Sequence, residues 1–104
     1  MERIVIVAYK PFPGKELELK SLILTHWDIL NKEGLVTDRK SIICEAEEGI
    51  IVEIFGWKSK EAIELAHSNK AVQNMWEEYS KVCEYIPIKD VKESENLFSE
   101  FNPI

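Results

Sequence analysis

The segment Ile50-Ile-Val-Glu-Ile-Phe-Gly-Trp57 carries apolar side chains at consecutive rather than alternate positions. A strand sends successive side chains to opposite faces, so this run is apolar on both. Ile4-Val-Ile-Val-Ala8 repeats the pattern with β-branched residues. Two strands of this kind need cover on both sides of their sheet. In the middle of the second stands Glu53, whose carboxylate requires a polar partner inside that wall.

The rest of the chain supplies the layers. The first strand, read at Arg3 to Lys10, ends at Pro11-Phe-Pro-Gly14. A helix is expected from about Lys15 to Glu33, with Glu16 and Glu18 in its first turn, where they oppose the helix dipole. Its apolar stripe is Leu19, Leu22, Ile23, His26 and Leu30, and Gly34 suits the left-handed residue that closes a helix. A more polar strand is expected over Leu35 to Glu45, and Glu47-Glu-Gly49 turns it into the strand at Ile50 to Lys58. Ser59 caps the next helix and Asn69 restarts it, with Val72, Met75, Trp76, Tyr79 and Cys83 on one stripe. Tyr85 to Val91 is expected as a last strand, at an edge or bulged because of Pro87.

The order β-α-β-β-α-β predicts an α+β fold: a ferredoxin-like four-stranded antiparallel sheet with two helices on one face. Residues 1–91 make the domain and 92–104 a C-terminal tail. Two helices cover one sheet face only, so a second copy is expected on the other, making a homodimer. Leu97, Phe98, Phe101 and Ile104 cannot build a core in so polar a tail, and they are expected to dock across that dimer.

Composition narrows the partners. With 13 Lys and Arg against 19 Asp and Glu, the net charge of -6 argues against nucleic acid and anionic membranes. Only Arg3 and Arg39 could offer a bidentate fork to phosphate. Ile4 to Ala8 is too short for a signal core or a membrane span, so a cytoplasmic protein is expected. Cys44 and Cys83 follow no metal or redox spacing and read as reduced core thiols.

Glu53-Ile-Phe-Gly-Trp57-Lys-Ser-Lys-Glu-Ala62, followed by Ala66-His67-Ser-Asn69, Ala71-Val72 and Trp76, resembles the antibiotic-biosynthesis-monooxygenase-like (ABM) domains of the dimeric α/β-barrel superfamily. The resemblance covers roughly residues 3 to 91. It implies a homodimer whose sheets face each other, with a cleft between helices and sheet in each subunit. Relatives of this kind include cofactor-free monooxygenases, haem-degrading monooxygenases, isomerases and decarboxylases. The haem-degrading branch carries an Asn on the first strand and a Trp and a His in the second helical region. Here the first strand has no Asn, Ala66 stands at the Trp position and Trp76 at the His position.

The candidate chemistry rests on His26, Glu53 and His67. His26 lies on the buried stripe, His67 shares the inward face of Ile63, and Glu53 shares a strand face with Phe55 and Trp57. If that face looks toward the helices, the three converge on one cleft as a catalytic group, with Glu53 orienting a histidine that moves substrate protons. If it looks toward the partner, Glu53 lies in the dimer core. Tyr9, Trp57, Trp76 and Tyr79 could line an aromatic slot for a small, partly aromatic ligand, or could be plain core. No metal spacing, phosphate cradle or nucleophile elbow is present, so no metal and no cofactor are implied. Two functions stay open: an enzyme, by resemblance a cofactor-independent monooxygenase, or a non-catalytic ligand-binding or structural dimer module.

Overall fold

The computed structural model describes all 104 residues, Met1 to Ile104. Its strands are β1 (Arg3–Pro11), β2 (Ile42–Glu45), β3 (Ile51–Trp57), β4 (Cys83–Ile86) and β5 (Asn102–Pro103); its helices are α1 (Glu16–Lys32), α2 (Lys60–Ala66) and α3 (Lys70–Ser80). The fold is α+β, with one antiparallel sheet in the order β4-β1-β3-β2-β5. It is compatible with a ferredoxin-like arrangement, but the sheet has five strands rather than the expected four. The addition is the tail: Asn102 and Pro103 pair with Glu45 and Cys44, and Ile104 N–H donates to Ile43 C=O at 3.0 Å. The outer edge of β2 offered unpaired backbone groups, and an extended terminal segment met them.

Local chemistry sets the boundaries. α1 ends in a Schellman motif: Gly34 has φ +73°, its N–H donates to Asn31 C=O, and Leu35 N–H reaches back to Leu30 C=O. Ser59 Oγ accepts from Ala62 N–H at 3.1 Å to start α2, and Asn69 Oδ1 accepts from Val72 N–H at 3.1 Å to start α3. The break between α2 and α3 falls at Asn69, where the sequence places the restart.

Two strands are shorter than expected. β2 begins only at Ile42; before it Val36 makes a single bridge to Trp57. Thr37 and Arg39 instead turn outward to hold the Glu2 carboxylate. β4 stops at Ile86, because Pro87 has no N–H to donate. The chain then crosses the sheet through two 3-10 turns, Ile88–Asp90 and Lys92–Glu95.

The pairing of Val5 with Phe55, Val7 with Glu53 and Tyr9 with Ile51 puts all six on one face. That face, with Ile43, packs against Leu19, Ile23 and Leu30 of α1, Ala62 and Ala66 of α2, and Val72, Met75 and Tyr79 of α3. On the opposite face Val91 is wholly buried over Ala8 and Val52, with Ile86, Ile88 and Phe101 around it. Burying such a valine is worth about 1.5–3 kcal/mol. The remainder of that outer face is bare, with Ile4, Ile6 and Ile42 each more than half exposed.

Candidate functional site

Glu53 lies on the helix-facing side of β3 and is fully buried. Its Oε1 accepts a hydrogen bond from the Tyr9 hydroxyl at 2.7 Å. His26 Nδ1, from the buried stripe of α1, lies 2.9 Å from the same oxygen. The histidine contact is close in distance but off the straight N–H···O line of a good hydrogen bond. Glu53 Oε2 is enclosed and unpartnered. One buried carboxylate thus joins β1, β3 and α1.

Aromatic rings enclose this cluster. His26 is edge-on to Tyr9, Phe55 and Tyr79, and Tyr79 stacks on Tyr9 at 5.4 Å. Burial, and after it the Glu53 charge, push the Tyr9 phenol well above its ordinary range. Burial and the same charge raise Tyr79. Tyr85 is pushed up to about 12, again first by burial. All three phenols therefore stay protonated at neutral pH, and Tyr9 serves as a donor.

Beside the cluster is a cleft of about 400 Å³. The sheet lines it with Val5, Val7, Tyr9, Phe55, Trp57 and Tyr85, and the helical side with His26, His67, Gln73 and Trp76. Its size falls in the range of small-molecule sites, and apolar and aromatic walls with few polar groups are typical of them. His26 touches the cluster through Nδ1, while its Nε2 is neither enclosed nor partnered and faces the cleft. Glu53 lies behind His26 and Tyr9, out of contact with the cleft.

The expected trio does not converge as a unit. Glu53 and His26 meet, whereas His67 is exposed at the rim, at the end of α2, with its ring edge-on to Trp76 at 5.4 Å. Tyr9, Trp57 and Trp76 reach the cleft wall, but Tyr79 does not: it lies wholly buried behind Tyr9 with its hydroxyl enclosed and unpartnered. Val5, Val7, Gln73 and Tyr85 complete the wall without having been singled out in the sequence. For the valines the signal was their strand parity with Tyr9; for Tyr85 it was the pairing opposite Tyr9. Gln73 carried none. Its Nε2 donates to Ala66 C=O at 3.2 Å, fastening the end of α2 to α3.

No group of three or more His, Cys, Asp or Glu side chains is placed to hold a metal ion. Both cysteines are free thiols: Cys83 is buried and Cys44 half-buried on β2. No helix is long and apolar enough to cross a membrane. Compared with known proteins, the chain matches no family model, no curated protein and no solved structure.

Proposed function

We propose that this chain is a cytoplasmic, homodimeric small-molecule protein whose cleft holds an acid–base pair, with His26 as the proton-transferring group and Glu53 as the residue that orients it. The observation that carries this reading is the contact of His26 Nδ1 with buried Glu53 while Nε2 opens to an aromatic cleft. A carboxylate beside one ring nitrogen favours the proton on that side and leaves the other nitrogen as a base. The ligand is partly aromatic, stacked among Trp57, Trp76 and Tyr85, and no Lys or Arg in the wall selects a phosphate.

The resemblance to ABM-like domains extends this to a cofactor-independent monooxygenase. In that chemistry His26 takes a proton from an activated C–H or O–H of the ligand, and the delocalised anion reacts with dioxygen. A methylene oxidised to a ketone balances with one water formed from the second oxygen atom and the two hydrogens lost. Ile4, Ile6 and Ile42 on the bare outer face support the dimer, as the surface a second sheet would cover in a dimeric barrel.

A non-catalytic module is the second reading. It is favoured by the Tyr9 hydroxyl, which already satisfies Glu53 Oε1 as a purely structural bond would. Oxygen-electrode measurements with polycyclic phenols and anthrones, run beside tryptophan-fluorescence titrations, separate the two. Oxygen uptake that vanishes in His26→Gln while binding persists supports the enzyme. Binding with no uptake for any ligand leaves the ligand-binding module, and no binding at all leaves only the structural one.

A further inference from the structure

β1 is nine residues long and β4 only four. β4 pairs with Ala8 to Pro11, so Arg3 to Val7 have β3 on one side and no strand on the other. Unpaired backbone along such an edge is a template for another strand. Ile4 to Val7 carry no charge, proline or glycine to discourage one. The cleft opens at the same edge. Val5 and Val7 are only partly covered, Tyr85 is 54% exposed, and His67 stands exposed on the facing rim.

The tail is apolar where it is least used. Phe101 packs on its own protomer and Asn102–Pro103 joins β2. Between these anchors and the 3-10 turn at Lys92–Glu95, Leu97 and Phe98 are 93% and 80% exposed. Residues 97–101 neither donate nor accept a backbone hydrogen bond. The chain bends at Leu97 and Phe98, so this stretch holds two exposed apolar side chains and unpaired backbone groups without being a strand in the isolated protomer.

Building on the homodimer proposed above, we infer that residues 97–101 of each copy straighten and pair with the open β1 edge of the other, so that Phe98 of the partner subunit closes the cleft mouth. Two sheets stacked face to face about a twofold axis parallel to their strands bring the β5 side of one over the β4–β1 side of the other. Both gaps then close by the same operation. The charges agree: Arg3 makes no ion pair, and Glu95 and Glu100, which flank Leu97 and Phe98, make none either. Successive strand side chains point oppositely, so with Phe98 toward the cleft, Leu97 falls on the outer layer with the partner's Ile4 and Ile6. The cleft is open in one protomer because its last wall belongs to the other.

Cross-linking tests this directly. In a Cys44→Ser background, a tagged Val5→Cys protein is mixed with an untagged Phe98→Cys protein under mild oxidation. Facing strand residues come close enough for a disulfide. A disulfide between tagged and untagged chains is expected in the mixture and not in either protein alone. Bonds within either single-variant protein, or none in a mixture that sediments as a dimer, overturn the pairing and leave the dimer standing. A monomer in sedimentation overturns both. As a second measurement, Leu97→Ser/Phe98→Ser should weaken binding of the probe 8-anilinonaphthalene-1-sulfonate about tenfold, corresponding to about 1.4 kcal/mol, with the dimer retained. Unchanged probe affinity in a dimeric variant removes Phe98 from the cleft.

Discussion

His26 Nδ1, on α1, sits 2.9 Å from Oε1 of Glu53, on β3, and the Tyr9 hydroxyl of β1 reaches that same oxygen. Three elements therefore meet at one buried oxygen, hydrogen-bonded by Tyr9 and approached by His26, and removing members singly or together should not be additive. Tyr9→Phe strips a donor from a buried carboxylate and should cost about 1–3 kcal/mol in urea unfolding. Glu53→Leu orphans the hydroxyl and should cost about as much or more. The double variant leaves nothing unpaired between the two positions, so it should recover about 0.5–3 kcal/mol relative to the sum. Strict additivity would show that the pair is uncoupled.

Much of this site was legible from strand parity. Val5, Val7 and Tyr9 alternate against Ile4, Ile6 and Ala8, and Glu53 falls in step with Phe55 and Trp57; the structure keeps both phases. His26 was legible from its place on the helical stripe between Ile23 and Leu30. His67 was legible only in part: it lines the cleft, but from an exposed rim, because inward periodicity holds only while the helix lasts and α2 ends at Ala66. Of the two readings open for Tyr79, the structure has plain core: a stripe faces the core along its whole length, and only a break in packing turns part of it into a wall. The fifth strand was invisible because Asn102–Pro103 has no strand character of its own, and the edge of β2 dictated it.

The three tyrosines make the fold sensitive to alkali. Each has its folded pKa raised, with Tyr85 at about 12. Stability is then fully present below the unfolded tyrosine value of about 10 and declines as pH rises from there toward the folded values. Phenolate absorbance from the buried Tyr9 and Tyr79 should accordingly appear together with loss of circular dichroism rather than before it. A normal titration of all three phenols near pH 10 with the fold intact would contradict the burial of Tyr9 and Tyr79.

At the other end of the scale is Glu2, which lies across Gly56 and receives Thr37 Oγ1 at 2.6 Å and Arg39 Nε at 3.2 Å. Hydrogen bonds from Arg39 and then Thr37 hold its carboxyl below the usual glutamate range. Its contribution is present above the unfolded glutamate pKa and lost as pH falls through the lower folded one. Arg39→Ala should move the Glu2 carboxyl titration upward by NMR and relax the Thr37 hydroxyl. Gly56→Ala should do likewise, since a methyl there would displace the Glu2 carboxylate. An unchanged Glu2 titration in both variants would remove this latch.

The bare outer face gives a test in which two neighbouring positions behave differently. Val52 is buried within its own protomer beneath Val91, whereas Ile6, on the adjacent strand and the same face, is 52% exposed. Val52→Asp places an unpaired carboxylate in a sealed core at a cost of several kcal/mol, and the protomer should unfold whatever its assembly. Ile6→Asp sits in water in an isolated protomer, where surface changes stay within about 0.5 kcal/mol. In a face-to-face dimer the same aspartate is buried against an apolar sheet. Ile6→Asp should therefore keep the circular dichroism of the parent and sediment at half its mass. Its melting temperature should no longer depend on concentration, while that of the parent does. If Ile6→Asp sediments as the parent does and melts at the same temperature, the face between Ile4 and Ile42 is not where two copies meet.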